Sequence, residues 1–259
     1  MGFRLEIPPS LGREVVRARA RGFVASLHTL GFDTVVPAAS YEELEQRLLT
    51  GESDAAWAPP LVCARIERAG GVVALRSLRW GATDYRSVIV SRQDDRLDLA
   101  LPGRRRPRAV WVDPNSMAGY LLPRAHVRAL GHDPTQLYAG ETFHGSYLAC
   151  LEAVLAGDAD VTATFASVVQ SPFVVHGFTR LLAARAGDLR VVAYTGTCPN
   201  DGIVVSPRIE ASRAAAVHSS LISALDAPAV LHEVATAFEV DGFDRPPKDA
   251  YRQLLDRVY

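Results

Sequence analysis

The segment Asp113-Pro114-Asn115-Ser116-Met117-Ala118-Gly119 holds the residues with the clearest capacity for chemistry. Residues 109–112 read as a strand, Asp-Pro-Asn-Ser as a turn, and 119–130 as a helix closed by Gly131. A helix start exposes main-chain N–H groups and its dipole favours negative charge, so such a turn can hold an oxyanion without Arg or Lys. Ser116 either adds a hydroxyl donor to that anion or caps its own helix; one geometry serves both uses. Other chemistries lack their signatures: the chain has no nucleophile–base arrangement, no metal-ligand spacing and no glycine-rich phosphate loop. Its three cysteines, Cys63, Cys150 and Cys198, form no CxxC pair, and an odd, sparse set predicts buried thiols.

A turn of this kind needs a rigid α/β frame, and the remaining sequence supplies one. Residues 3–7 read as a strand, Ser10 as the cap of a helix over 11–30, and Gly31 as its end. Residues 32–36 follow as a strand. Ser40 with Glu43 then makes a capping box for a helix over 41–49, and Gly51 stops it. Residues 54–57 form a short buried strand before Pro59-Pro60. A second series begins after the strand 85–90: strands at 109–112, 141–143, 160–165 and 189–194, with a helix over 147–156 stopped by Gly157. Helices over 212–225, 228–238 and 248–258 complete the chain. Strands alternating with helices predict mainly parallel sheets flanked by helices.

Composition narrows the partners. Of 259 residues, 48% are hydrophobic and 22% charged, which is globular rather than disordered. Lys and Arg number 28 against 29 acids, so no global field exists to hold nucleic acid. The basic run Arg104-Arg105-Arg106-Pro107-Arg108 reads as a solvated turn. No stretch is long and apolar enough to insert in a membrane, and the first residues carry no apolar leader core. The chain as written is therefore expected in the cytoplasm, or in the periplasm or at the cell surface if a leader has been removed.

Five segments, in order, carry a resemblance: 51–57 (GESDAAW), 84–90 (DYRSVIV), 113–123 (DPNSMAGYLLP), Phe143-His144 with 153–161, and Pro199-Asn200-Asp201-Gly202 running into 203–205. Together they resemble the phosphate/phosphonate-type substrate-binding proteins of ABC transporters, in the type II periplasmic binding protein superfamily. The resemblance implies two α/β lobes, residues 1–88 with 199–259 and residues 89–198, joined by a two-strand hinge. It implies a small anionic ligand taken into the interlobe cleft by closure, with an ABC membrane subunit as a further partner. It also implies ligand contacts in the turn Asn115, Ser116, Met117 and Ala118, at Tyr85, at His144, and at Asp201 as an acid receiving an amine or hydroxyl. Trp57 and Ala58 match the first lobe's wall, and Thr162 and Thr164 stand near a strand's carboxyl end, where open α/β sheets place ligands. Members carry two or three hydroxyls in the turn, whereas Met117 and Ala118 stand here at the second and third positions. Each lost charge-assisted hydrogen bond is worth about 1.5–3 kcal/mol, which brings carboxylates beside phosphonates as expected ligands. No catalytic residue, cofactor or metal is expected. The alternatives on the same fold are a chorismate dehydratase-like enzyme acting on a small carboxylate, and a ligand-sensing subunit.

Overall fold

The computed structural model describes residues 2–8, 25–100, 106–168 and 176–259. In chain order the strands are β1 (Phe3–Ile7), β2 (Phe32–Pro37), β3 (Ala55–Ala58), β4 (Val72–Leu78), β5 (Asp84–Arg92), β6 (Arg108–Trp111), β7 (Gly140–Phe143), β8 (Val161–Ser167), β9 (Leu189–Pro199), β10 (Gly202–Val205) and β11 (Gly242–Asp244). The α-helices are α1 (Tyr41–Thr50), α2 (Pro60–Arg68), α3 (Leu122–Ala129), α4 (Pro134–Leu137), α5 (Tyr147–Ala156), α6 (Gly177–Leu182), α7 (Ala211–Ser223), α8 (Pro228–Phe238) and α9 (Arg252–Val258). Two compact units result: Met1–Thr83 with Pro199–Asp256, and Asp84–Cys198 with Arg257–Tyr259. Each is a sheet flanked by helices.

The first unit has a six-stranded sheet in the order β11-β4-β10-β3-β1-β2. Its core gathers Leu5, Ile7, Phe32 and Ile203 from the strands with Val217 and Leu221 of α7 and Val234 and Phe238 of α8. The second unit has a five-stranded sheet, β7-β6-β8-β5-β9, with a separate core on each face. One face packs Val88, Val90 and Val110 against Cys150 and Val154 of α5; the other packs Ile89 and Trp111 against Val127 of α3. Alternation along β5 and β6, buried on both faces, divides the residues between these cores.

The sheets are mixed rather than mainly parallel. β1 pairs in parallel with β2 and β3, and β6 in parallel with β7 and β8. β10, however, runs antiparallel to both β3 and β4, β11 antiparallel to β4, and β5 antiparallel to β8. Two of these reversed strands, β5 and β10, follow the passages of the chain between units, and the third, β11, follows α8.

One local device occurs in each unit. α1 ends at Gly51 (φ 77°) and α5 at Gly157 (φ 84°), left-handed positions that glycine takes without penalty. Three residues later comes a buried aspartate, Asp54 or Asp160, just before the next strand. Asp54 accepts the Arg4 amide at 2.7 Å and the Arg213 guanidinium; Asp160 accepts the Arg108 amide at 2.7 Å and its guanidinium at 3.2 Å. Each aspartate thereby ties the strand it precedes to a parallel neighbour.

The capping box is present, Ser40 Oγ accepting the Glu43 amide at 3.1 Å. Gly31 (φ 80°) ends a helical stretch at residues 25–29, while Ser10 and most of the predicted first helix lie outside the described residues, as do Arg104 and Arg105. The helix expected over 119–130 begins instead as a π-turn, Met117–Leu121, before α3.

Candidate functional site

The second unit assembles its candidate residues by strand direction. Parallel pairing puts the carboxyl ends of β6, β7 and β8 together, and antiparallel pairing of Tyr85 with Ser167 brings the start of β5 to the same end. Tyr85, the turn 113–118 and His144 therefore share one end of this sheet. His144 is tied there directly: its amide donates to the Trp111 carbonyl and the Gly145 amide to the Val112 carbonyl, both at 2.9 Å. Its exposed ring lies 3.5 Å from Thr142 Oγ1.

The turn after β6 is built by its own side chains. Asp113 Oδ1 accepts the Asn115 amide at 2.7 Å and its carbonyl accepts the Ser116 amide at 3.0 Å. Ser116 Oγ accepts the Gly119 amide at 3.1 Å, and the Ser116 carbonyl accepts from Leu121, widening the first turn. The cap use of Ser116 is thus realised, and its hydroxyl hydrogen is left to donate. Met117 and Ala118 are buried, and their amides precede the first helical acceptor, with no partner among the described residues. A Cβ at Gly119 would stand 2.6 Å from Val112 Cγ2 and 2.7 Å from Ser116 Oγ, so only glycine fits this close approach. Ser87 Oγ donates to the Ala118 carbonyl at 2.6 Å and fixes the helix start to β5.

A second serine-capped helix opens at the same end. Ser146 Oγ accepts the Ala149 amide at 3.2 Å, two residues beyond His144. Sequence reasoning did not single it out, although Ser146 before an apolar run is a recognisable cap. Thr162 and Thr164, by contrast, are wholly buried: Thr162 Oγ1 donates to the Val110 carbonyl at 2.7 Å and Thr164 Oγ1 to the Phe165 carbonyl at 3.3 Å. Burial pushes the Cys150 thiol up to about 11, so it is inert near neutral pH; all three cysteines are buried and none is in a disulfide.

The first unit brings together Trp57, Ala58 and Asp201. Gly202 pairs with Ala58 and with Arg76, so the start of β10 meets the ends of β3 and β4. A recess of about 210 Å³ opens there, lined by these three residues with Tyr41, Arg79 and Phe238 among its other walls. The Trp57 ring packs on Phe238 with centroids 4.0 Å apart. Its Nε1 is buried and has no hydrogen-bond partner among the described residues. Arg79 is the functional group the sequence did not reveal. Its Nη2 donates to Asp201 Oδ2 and its Nη1 to the Glu239 carbonyl, both at 3.0 Å. These partners lie 122 and 160 residues away, beyond any local pattern.

Among the described residues no group of three or more His, Cys, Asp or Glu could hold a metal ion. No single helix among them is long and apolar enough to cross a membrane.

Comparison with solved structures finds the same fold at low identity. XAC2383 from Xanthomonas citri, bound to ATP, superposes with a TM-score of 0.76 at 19% identity over 99% of this chain and 95% of that one. PhnD1 from Prochlorococcus marinus, in complex with methylphosphonate, gives 0.72 at 17% identity over 98% and 96%. A binding-protein component of an ABC phosphonate transporter from Pseudomonas aeruginosa gives 0.71 at 19% over 98% and 84%. A search of the curated proteins found no sequence match. The family model for the ABC transporter phosphonate periplasmic substrate-binding protein matches residues 8–251. With nearly the whole chain matched, and with two α/β units of this kind, the protein belongs to the phosphonate periplasmic substrate-binding proteins of ABC transporters, in the type II periplasmic binding protein superfamily.

Proposed function

We propose that this chain captures a small oxyanion, a phosphonate, phosphate or carboxylate, and delivers it to the membrane subunit of an ABC-type uptake system. One observation carries the reading: the Met117 and Ala118 amides stand without an acceptor at a helix start, with His144 pinned alongside. Two amides and the Ser116 hydroxyl can each donate to one anionic oxygen, and the helix dipole adds to them. His144 donates one further hydrogen bond when neutral and adds a charge when protonated. The chain's place of work, on this reading, is the periplasm or the cell surface, which fractionation of the native cells would locate.

The experiment is a thermal-shift screen with methylphosphonate, phosphate, phosphite and small carboxylates. A ligand at 100 times its Kd stabilises by about 2.7 kcal/mol, raising Tm by about 5–10 °C for a chain of this size. Ser116→Trp fills the anion's place and is expected to abolish the shift while the unliganded protein still melts cooperatively. A shift of undiminished size in that variant would remove the proposal.

A further inference from the structure

The family resemblance assigns Asp201 to a ligand amine or hydroxyl, but the recess in which it stands gives that carboxylate another partner. The Arg79 guanidinium holds it at 3.0 Å, so its charge is already answered before any ligand arrives. Arg79 is fixed on a second side by the Glu239 carbonyl, also at 3.0 Å. Those two bonds use two of the five guanidinium N–H donors, leaving three for a ligand. Both members of the pair are about a quarter exposed, at 27% and 28%, and both line the recess, so a ligand can reach them. Around them stand Trp57, Phe238 and Pro59, surfaces without a charge to offer. Glu239 also lines the recess and is exposed, and the group that Arg79 holds is its main-chain carbonyl. A space of about 210 Å³, the liquid volume of about seven waters, admits one small polar group.

We infer that Arg79 is the ligand-contacting residue of this recess, that Asp201 positions it, and that the ligand end received here is a hydrogen-bond-accepting oxygen rather than an ammonium. The inference rests on the solute-binding reading above and narrows its substrate class to amine-free oxyanions. A guanidinium braced by a carboxylate keeps its fork in one orientation, which suits a planar or tetrahedral oxyanion. An ammonium in the same place would meet the guanidinium's charge and lose its own hydration.

Calorimetric titration with two matched pairs tests this, each setting a distal carboxylate against a distal amine: phosphonoacetate against 2-aminoethylphosphonate, and malonate against β-alanine. The amine-free member of whichever pair binds is expected to bind at least 10-fold more tightly. Arg79→Met is expected to weaken that ligand at least 10-fold, with Arg79→Lys intermediate. Asp201→Asn is expected to weaken amine-free and amine-bearing members by the same factor, because it loosens Arg79 and removes no amine site. Glu239→Gln is expected to change neither. Thermal melts of the unliganded variants confirm that each is folded, and Arg79→Lys serves where Asp201→Asn does not fold. Tighter binding of the amine-bearing member, its selective loss in Asp201→Asn or Glu239→Gln, or unchanged binding in Arg79→Met overturns the inference while leaving the anion-capture reading in place. If no member of either pair binds, the inference fails, while the anion-capture reading is decided by the thermal-shift screen with methylphosphonate, phosphate and phosphite.

Discussion

Ser116 uses its side-chain oxygen to accept the Gly119 amide and keeps its hydroxyl hydrogen for another partner. The two roles separate by measurement. Ser116→Ala loses the cap, at a cost of about 1 kcal/mol in stability, seen as a lower Tm of the unliganded protein. It also loses one donor to the ligand, so Kd is expected to rise about 10-fold, by the worth of one hydrogen bond to a charged group. A lower Tm with unchanged Kd would leave Ser116 as a cap alone. At this scale the sequence was informative where chemistry is local. The Asp-Pro-Asn-Ser turn can be read without any partner, because its hydrogen bonds run between residues two or three apart. Arg79 could not be read, because the carboxylate that defines it joins the recess from the start of β10. Thr162 and Thr164 stand near a strand's carboxyl end, yet their hydroxyls turn to backbone carbonyls, a choice that strand position alone does not fix.

Elements were legible where glycine and serine mark their ends. α5 begins after Ser146 and stops at Gly157, and α1 is framed by Ser40 and Gly51 in the same way. α2 escaped sequence reading because Pro59 and Pro60 open it with no side-chain cap bond. β4 was missed as well, since apolar Val72 is exposed and polar Ser77 is buried, so residue type does not follow burial along it. The paired aspartates that precede β3 and β8 give an element-scale prediction. Asp54→Ala leaves the Arg4 amide unsatisfied, and Asp160→Ala does the same to Arg108. Each is expected to lower stability by about 1–3 kcal/mol in denaturant melts, the cost of an orphaned donor. Values near zero for both would mean that the strand ties contribute nothing.

For the whole molecule, a formal net charge of −1 means that attraction for an anion must arise locally, from oriented amides and single side chains. Acid should act on the fold as a whole through histidines. Burial lowers the pKa of His126, of His176 with help from Arg86, and of His218 with help from Arg245. A histidine whose folded pKa lies below its ordinary 6.5 favours the folded state above that value, and the advantage is lost as pH falls below it. Glu67, raised by burial, works in the opposite direction as pH rises above the ordinary carboxylate range. Tm is therefore expected to fall between pH 7 and 5.5, with a shallower fall in His176→Gln. A flat or rising Tm in the wild type over that interval would contradict this.

Amide NMR of the ¹⁵N-labelled protein, titrated with methylphosphonate, phosphate and acetate in turn, tests the anion cradle most directly. Met117 and Ala118 are expected to shift saturably with at least one of these anions, in step with the calorimetric Kd. Binding that leaves both amides unmoved would contradict the cradle.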